Sequence, residues 1–227
     1  EKLREKNKNL LSIDSYYSFI FEIFYYLISS KFPSIQLQSK TSKNSLSEYI
    51  LDLSNQDTHI SIVSLYDYEF EHLKSEMGKN DIRHIPLLKE ILYLSAPQRT
   101  PFSETESCSL EQMQGIKVVK TIPSNLSDIW FEEILTSRRI RFQYYHILDS
   151  NTFLKDWIET DYSFVTTSLY ISHNDFSEGF KNRIQLVIDD PKAVKNVYLL
   201  YSDKNTNFLK PLIDLFIDDF YKSFIDK

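Results

Sequence analysis

The sequence predicts an α/β fold with mostly parallel strands. Three observations carry that expectation. Apolar spacing alternates between helical and strand periods along the whole 227-residue chain. Leu10–Lys40 reads as strand, helix, strand, and a parallel β-α-β unit needs such a crossover helix. Val197–Tyr201 is an unbroken apolar run, the pattern of a strand buried on both faces.

The elements follow in order. Leu10–Ile13 reads as a short buried strand, and Asp14–Ser15 as a break with a helix N-cap. Tyr16–Phe32 carries Phe19, Ile20, Ile23, Phe24, Leu27 and Ile28 at helical spacing, and Pro33 stops the helix. Ile35 and Leu37 alternate with Gln36 and Gln38, as in a strand. Thr41–Ser45 is a polar turn rich in possible caps, ahead of a helix over Leu46–Leu53. Ile60–Leu65 is a strand. Tyr66–Asn80 reads as polar and irregular, with at most a short helix around Phe70–Met77. Ile82–Ala96 is extended, with Pro86 marking an edge or a bend.

Pro97–Ser107 is loop. Ser109–Met113 has capping-box chemistry. Strands are predicted over Ile116–Lys120, Ile140–Ile147, Ser163–Thr167 and Ile184–Ile188. Helices are predicted over Asn125–Ser137, Asn151–Glu159 (capped by Asp149–Ser150) and Phe208–Ile225, with a turn or short helix over Phe176–Phe180. Asp189–Val194 is a crossover.

Composition excludes several functions. Hydrophobic residues make up 42% and charged residues 26%, as in globular proteins. With 3 glycines and no GxGxxG or GxxxxGK[ST], a glycine-built nucleotide cradle is not expected. The net charge of -6 disfavours direct nucleic-acid binding by these residues. The single cysteine, Cys108, forms no internal disulfide and no CxxC metal site, which fits a reducing cytoplasm. No apolar run reaches the roughly 20 residues of a membrane span, and the charged start lacks the core of a signal peptide. Without an initiator Met, the chain reads as part of something longer. No cofactor or metal is expected. No HExxH, GxSxG or Cys/His arrangement appears, so the chain is not expected to be an enzyme.

In order and spacing, the elements resemble the effector-binding (regulatory) domain of LysR-type transcriptional regulators. The resemblance spans about Leu10–Phe224. Leu10–Ser15 is similar to the family's opening strand and small-residue turn. Lys31–Leu37 looks like its "YP-x-hydrophobic" entry into the second strand, and Leu46–Gln56 sits where its second helix lies. Glu90–Ser95 with Thr100-Pro101-Phe102 resembles a strand and "HPL" loop, Ser109–Val118 the "S-L-x-x-L" segment, and Asp149–Ser168 the "G-x-G-I-x-x-P" helix and strand. Val197–Tyr201 and Phe208–Phe220 resemble the last strand and helix. The chain departs from the pattern at His59, Asp161, Ser163 and Ser168, where the family commonly has Asp, Gly, Gly and Pro.

The resemblance implies a bilobed, type 2 periplasmic-binding-protein-like fold: two mixed sheets flanked by helices, with a two-strand hinge. Residues 1–9 would end a linker. Lobe one would comprise 10–95 plus 195–227, and lobe two 96–194. A small effector would bind between the lobes and modulate DNA binding by an upstream helix-turn-helix, which is the only route to DNA. The full-length cytoplasmic protein would be a homodimer or tetramer, paired through the exposed faces of the Tyr16–Phe32 helix (Tyr17, Phe21, Tyr25, Tyr26) and of Asn125–Ser137. A solute-binding protein of a transporter, with the same fold, is the alternative.

Helix N-termini offer unpaired N–H groups and a positive dipole end, which suits an anionic or carboxylate-bearing metabolite. The candidate effector residues are Ser15 and Tyr16 at the first helix, Thr41 and Ser42 before the second, Arg99 and Thr100 in the loop after the long strand, and Ser150, Asn151 and Thr152 at the lobe-two helix. Each hydroxyl also has a plain reading as a helix cap, and Arg99 one as solvated surface. His59 reads as a satisfied strand residue, Cys108 as a loop thiol open to solvent, and Asp189-Asp190 and Asp218-Asp219 as solvated faces. Trp130 and Trp157 read as core or interface.

Overall fold

The computed structural model describes residues 10–15, 18–40, 45–102, 104–121, 133–147, 161–168 and 183–224. The chain divides into two compact units: Glu1–Leu88 with Val197–Lys227, and Lys89–Asn196.

Unit 1 begins with strand β1 (Leu10–Ser15), helix α1 (Ser18–Lys31) and strand β2 (Gln36–Lys40). Helix α2 (Leu46–Asn55), strand β3 (Ile60–Tyr66) and helix α3 (Asp67–Lys79) follow. Strand β4 (Ile82–Pro97) leaves the unit, strand β10 (Val194–Ser202) returns to it, and helix α4 (Thr206–Phe224) closes it. The strand order in this unit is β2-β1-β3-β10-β4. Both β1–β2 and β1–β3 are parallel, as the β-α-β reading requires.

Side-chain alternation along β3 builds two cores. Val63 and Leu65 join Tyr49, Ile50 and Leu53 of α2, Phe70, Leu73 and Met77 of α3, and Tyr198 and Leu200 of β10. Ile60 and Ile62 point to the opposite face and are fully buried. Helix α1 buries Ile20, Phe24, Leu27 and Ile28, one apolar stripe at helical spacing. Phe24 stacks on Phe216 of α4, with ring centroids 3.8 Å apart and planes 9° from parallel.

Two expectations for this unit need correction. Asp14–Ser15 does not break the chain: β1 runs through Ser15, which sits opposite Ile62 of β3. The segment 66–80 is not irregular but holds a 13-residue helix, α3. Its polar sequence hides a buried stripe at Phe70, Leu73 and Met77. Its N-terminus is fastened by the Glu69 carboxylate, which accepts from the Tyr66 N–H at 2.9 Å. Glutamate at the third helical position thus serves in the capping role without a Ser or Thr partner.

With few glycines available, the chain makes left-handed turns from other residues. Gln56 ends α2 at φ 63°, and its N–H reaches back to the Asp52 and Leu53 carbonyls. Asp81 (φ 55°), after α3, and Arg139 (φ 59°) follow the same pattern. A Cβ at this position costs energy that glycine avoids. Replacing Gln56 by Gly is expected to stabilise the protein by about 1 kcal/mol. The measurement is a rise in the urea midpoint at unchanged slope.

Unit 2 contains β5 (Ser107–Cys108), β6 (Lys117–Thr121), β7 (Gln143–Ile147), β8 (Phe164–Thr167) and β9 (Arg183–Ile188). Strand β4 lies between β8 and β9, antiparallel to both, and β9 pairs in parallel with β5. Strands β6 and β7 are parallel, and a bridge from Val118 to Ser163 ties β6 to the approach of β8. Strand pairing is therefore mixed: of the six pairs named here, four are parallel and the two made by β4 with β8 and β9 are antiparallel. Pro86 is exposed and does not end β4. The capping box at Ser109 is present, with Ser109 N–H donating to Gln112 Oε1 at 2.7 Å and Gln112 N–H to Ser109 Oγ at 3.3 Å. It opens a single 3-10 turn over Glu111–Met113. Of the Asn125–Ser137 helix, residues 133–137 are described and are helical. The Asn151–Glu159 and Phe176–Phe180 segments, Tyr17, Trp130 and Trp157 lie outside the described residues.

Candidate functional site

In an open α/β sheet, ligands meet the carboxyl ends of parallel strands. In unit 1 those ends are Ser15 of β1, Lys40 of β2 and Tyr66 of β3. One residue inside the end of β1, the register aligns Asp14 with Lys40 on one side and Ser61 on the other. Paired residues in neighbouring strands project to the same face, so Lys40, Asp14 and Ser61 form one polar row. Asp14 is 1% exposed and Ser61 0%. Lys40, on the edge strand, is partly exposed.

The row beneath it is closed on itself. Ser12 Oγ lies 2.7 Å from His59 Nδ1 and donates to the Asp57 carbonyl at 3.1 Å. The Ser12 N–H also donates to His59 Nδ1, at 3.1 Å. His59 is thus the satisfied residue that its position suggested. Burial, and then the nearby Lys40 ammonium, hold its imidazole below the ordinary histidine range. Ser61 differs: its buried hydroxyl has no hydrogen-bond partner among the described residues.

Of the sequence-predicted effector residues, Ser15 stands at the end of β1, next to this row. Arg99 is exposed in the loop after β4, in unit 2. Thr100, in the same loop, accepts the Phe102 N–H at its Oγ1, at 3.3 Å. Tyr16, Thr41, Ser42, Ser150, Asn151 and Thr152 lie outside the described residues.

Unit 2 holds a buried cation that sequence reading missed. Arg183 is 6% exposed. Its Nε donates to Ser95 Oγ at 3.1 Å and its Nη2 to the Ser95 carbonyl at 3.1 Å and to the Tyr162 carbonyl. The guanidinium lies 4.9 Å from the Phe164 ring centroid. Burial lowers its pKa to about 10, so it stays charged at neutral pH. Gln185, directly across from Ser95, donates to the same hydroxyl at 3.0 Å.

Two expectations about reactive or charged side chains are corrected here. Cys108 is not an exposed loop thiol: it lies in β5, 1% exposed, and burial pushes its pKa up to about 11. A thiol so raised and covered is a poor nucleophile. Asp190 is not on a solvated face either. Its side chain is 2% exposed and forms an ion pair with Arg138, and it accepts the Lys192 N–H at 2.8 Å. Among the described residues, no group of three or more His, Cys, Asp or Glu could hold a metal ion. No described helix is long and apolar enough to cross a membrane.

No protein-family model and no curated protein matches the sequence. Solved structures do match the fold. The regulatory domain of MetR, a LysR-family regulator from N. meningitidis, superimposes with a TM-score of 0.68 at 12% identity, covering 94% of this chain and 92% of that one. The regulatory domain of Synechocystis PCC6803 CcmR, in complex with 2-PG, gives 0.66 at 15% identity over 91% and 96%. Full-length BenM gives 0.71 at 11% identity over 94% of this chain and 68% of that one. The fold class is therefore the type 2 periplasmic-binding-protein-like α/β fold. Within that class, it is the fold of LysR-family regulatory domains.

Proposed function

We propose that the chain is the effector-sensing and dimerising region of a bacterial LysR-type transcriptional regulator. The observation that carries this reading is a fold match over more than nine-tenths of the chain to regulatory domains of that family, one of them in complex with 2-PG. In this reading a small carboxylate-bearing metabolite binds the domain and shifts the arrangement of the full-length protein. The effect on DNA is limited by the effector's differential affinity for the two arrangements. DNA is gripped by a helix-turn-helix outside this chain, which agrees with the net charge of -6.

A thermal-shift screen of amino acids, carboxylates, sugar phosphates and nucleotides tests the sensing role. A true effector at about 100 times its dissociation constant adds roughly 2.7 kcal/mol of stability. If every class leaves the melting temperature unchanged, the domain is not a metabolite sensor.

The dimer is assigned to the outer face of α1. Tyr25 is 53% exposed and Tyr26 72%, in edge-to-face contact at 5.9 Å. Tyrosine supplies large contact area at low entropy cost. The wild-type chain is expected to sediment as a dimer, and a Tyr25→Ser, Tyr26→Ser variant as a monomer. A dimer that survives both changes would place the interface elsewhere.

A further inference from the structure

We propose that the outer edge of strand β2 pairs with the same strand of a second copy of the chain, antiparallel about a two-fold axis, so that the unit 1 sheets of the two copies join. The inference goes beyond the α1 dimer proposed above, and its test separates the two. Three features support it.

The first is an unguarded edge. β2 is the last strand of its sheet, with β1 on one side and no strand on the other among the described residues. Such an edge presents a row of unpaired backbone N–H and C=O groups, which proteins ordinarily guard with charges, proline or a bulge. β2 reads Gln-Leu-Gln-Ser-Lys and carries no proline, and no charge before its last residue. Its five residues align with β1 in unbroken register, so no bulge turns the edge away.

The second is incomplete cover. Leu37 aligns with Leu11, which is fully buried, yet Leu37 itself is only half-buried. Ile35, two residues before it, is half-buried too, while Gln36, Gln38 and Ser39 are exposed. A two-fold axis perpendicular to the sheet keeps like faces on the same side. Pairing centred on Gln38 then uses all five residues. Leu37 lies opposite the partner's Ser39 and diagonal to the partner's Leu37, within reach of a side-chain contact.

The third is charge. Lys40 is the one charged residue of β2. The same pairing sets Gln36 opposite the partner's Lys40, and Gln38 opposite the partner's Gln38. No like charges meet across the axis.

The test measures the dimer dissociation constant of the 227-residue chain by analytical ultracentrifugation. Gln36 is exposed, so its substitution leaves the monomer core untouched. Gln36→Glu creates two symmetry-related Glu–Lys pairs and is expected to tighten the dimer about fivefold. Gln36→Lys sets ammonium against ammonium twice and is expected to weaken it about fivefold. A non-specific effect of charge has the opposite sign: each copy carries -6, so an added Lys relieves mutual repulsion and an added Glu increases it. In a Lys40→Gln background the two Gln36 variants should no longer differ in the expected direction. If Gln36→Lys tightens the dimer, or if both variants leave the dissociation constant unchanged, this inference falls, and the Tyr25→Ser, Tyr26→Ser variant still decides the α1 interface. A wild-type chain that is monomeric overturns both.

Discussion

Phe24→Ala is expected to cost about 3–5 kcal/mol, read as a fall in the urea midpoint. Phe24 is fully buried, and its ring lies flat against Phe216, which in turn contacts Phe220 at a centroid distance of 5.5 Å. Truncation removes the transfer energy of the ring and leaves a cavity between α1 and α4. Close-packed neighbours refill such a space only in part. The same change at Phe216 should cost a similar amount. The double variant should cost less than the sum, because the second truncation enlarges a cavity that already exists. Strict additivity of the two would show that the rings contribute separately and that the stack itself adds nothing.

Arg183→Leu is expected to cost about 3–4 kcal/mol. The substitution keeps the apolar contact with Phe164 but strips donors from the Ser95 carbonyl, the Ser95 hydroxyl and the Tyr162 carbonyl. Orphaned buried acceptors cost more than the same groups never paired. Arg183→Lys keeps the charge but replaces a planar fork with a point charge, so it should recover less than half of the loss. Apolar residues replace buried ions at no cost only where the ion's partners are replaced as well, and here Ser95 and Tyr162 remain. A neutral Arg183→Leu variant would therefore show that the three acceptors find other donors.

Local signals were legible in the sequence wherever they decided the outcome. The stripe Ile20, Phe24, Leu27, Ile28 and the stop at Pro33 placed α1 within two residues of its start and one of its end. Ser45 was readable as the cap of α2 because its oxygen accepts from Glu48 N–H, three residues on, at 3.3 Å. Helix α3 was not readable in the same way. Its buried residues are separated by Glu, His, Lys and Ser, and its capping carboxylate pairs with a tyrosine N–H. Long-range pairing hid the rest. Cys108 is covered because two residues, Ser107 and Cys108, pair with Val187 and Ile188 far along the chain. Asp190 is buried because Arg138, fifty-odd residues away, reaches it. The candidate site shows the same division. Ser15 was legible as a residue at a strand's end. The alignment of Lys40, Asp14 and Ser61 depends on the register of three strands, which no local spacing encodes.

The two units differ in how the chain supplies them, and this bears on how the protein is made. Unit 2 is one continuous stretch, Lys89–Asn196, whereas unit 1 needs residues from both ends of the chain. A ribosome emits residues at about 5–20 per second. The apolar face of α1, with Phe24 at its centre, is therefore synthesised many seconds before Phe216, the ring that covers it. Throughout that interval the side of the stripe that meets Phe216 stays bare, although β1 and β2 are already at hand for the rest. Unit 2 can close while still tethered, but unit 1 must wait for termination. A stop codon before α4 would release a chain with its aromatic core unsealed, and such a chain is a target for chaperones and proteases rather than a shorter version of the same protein.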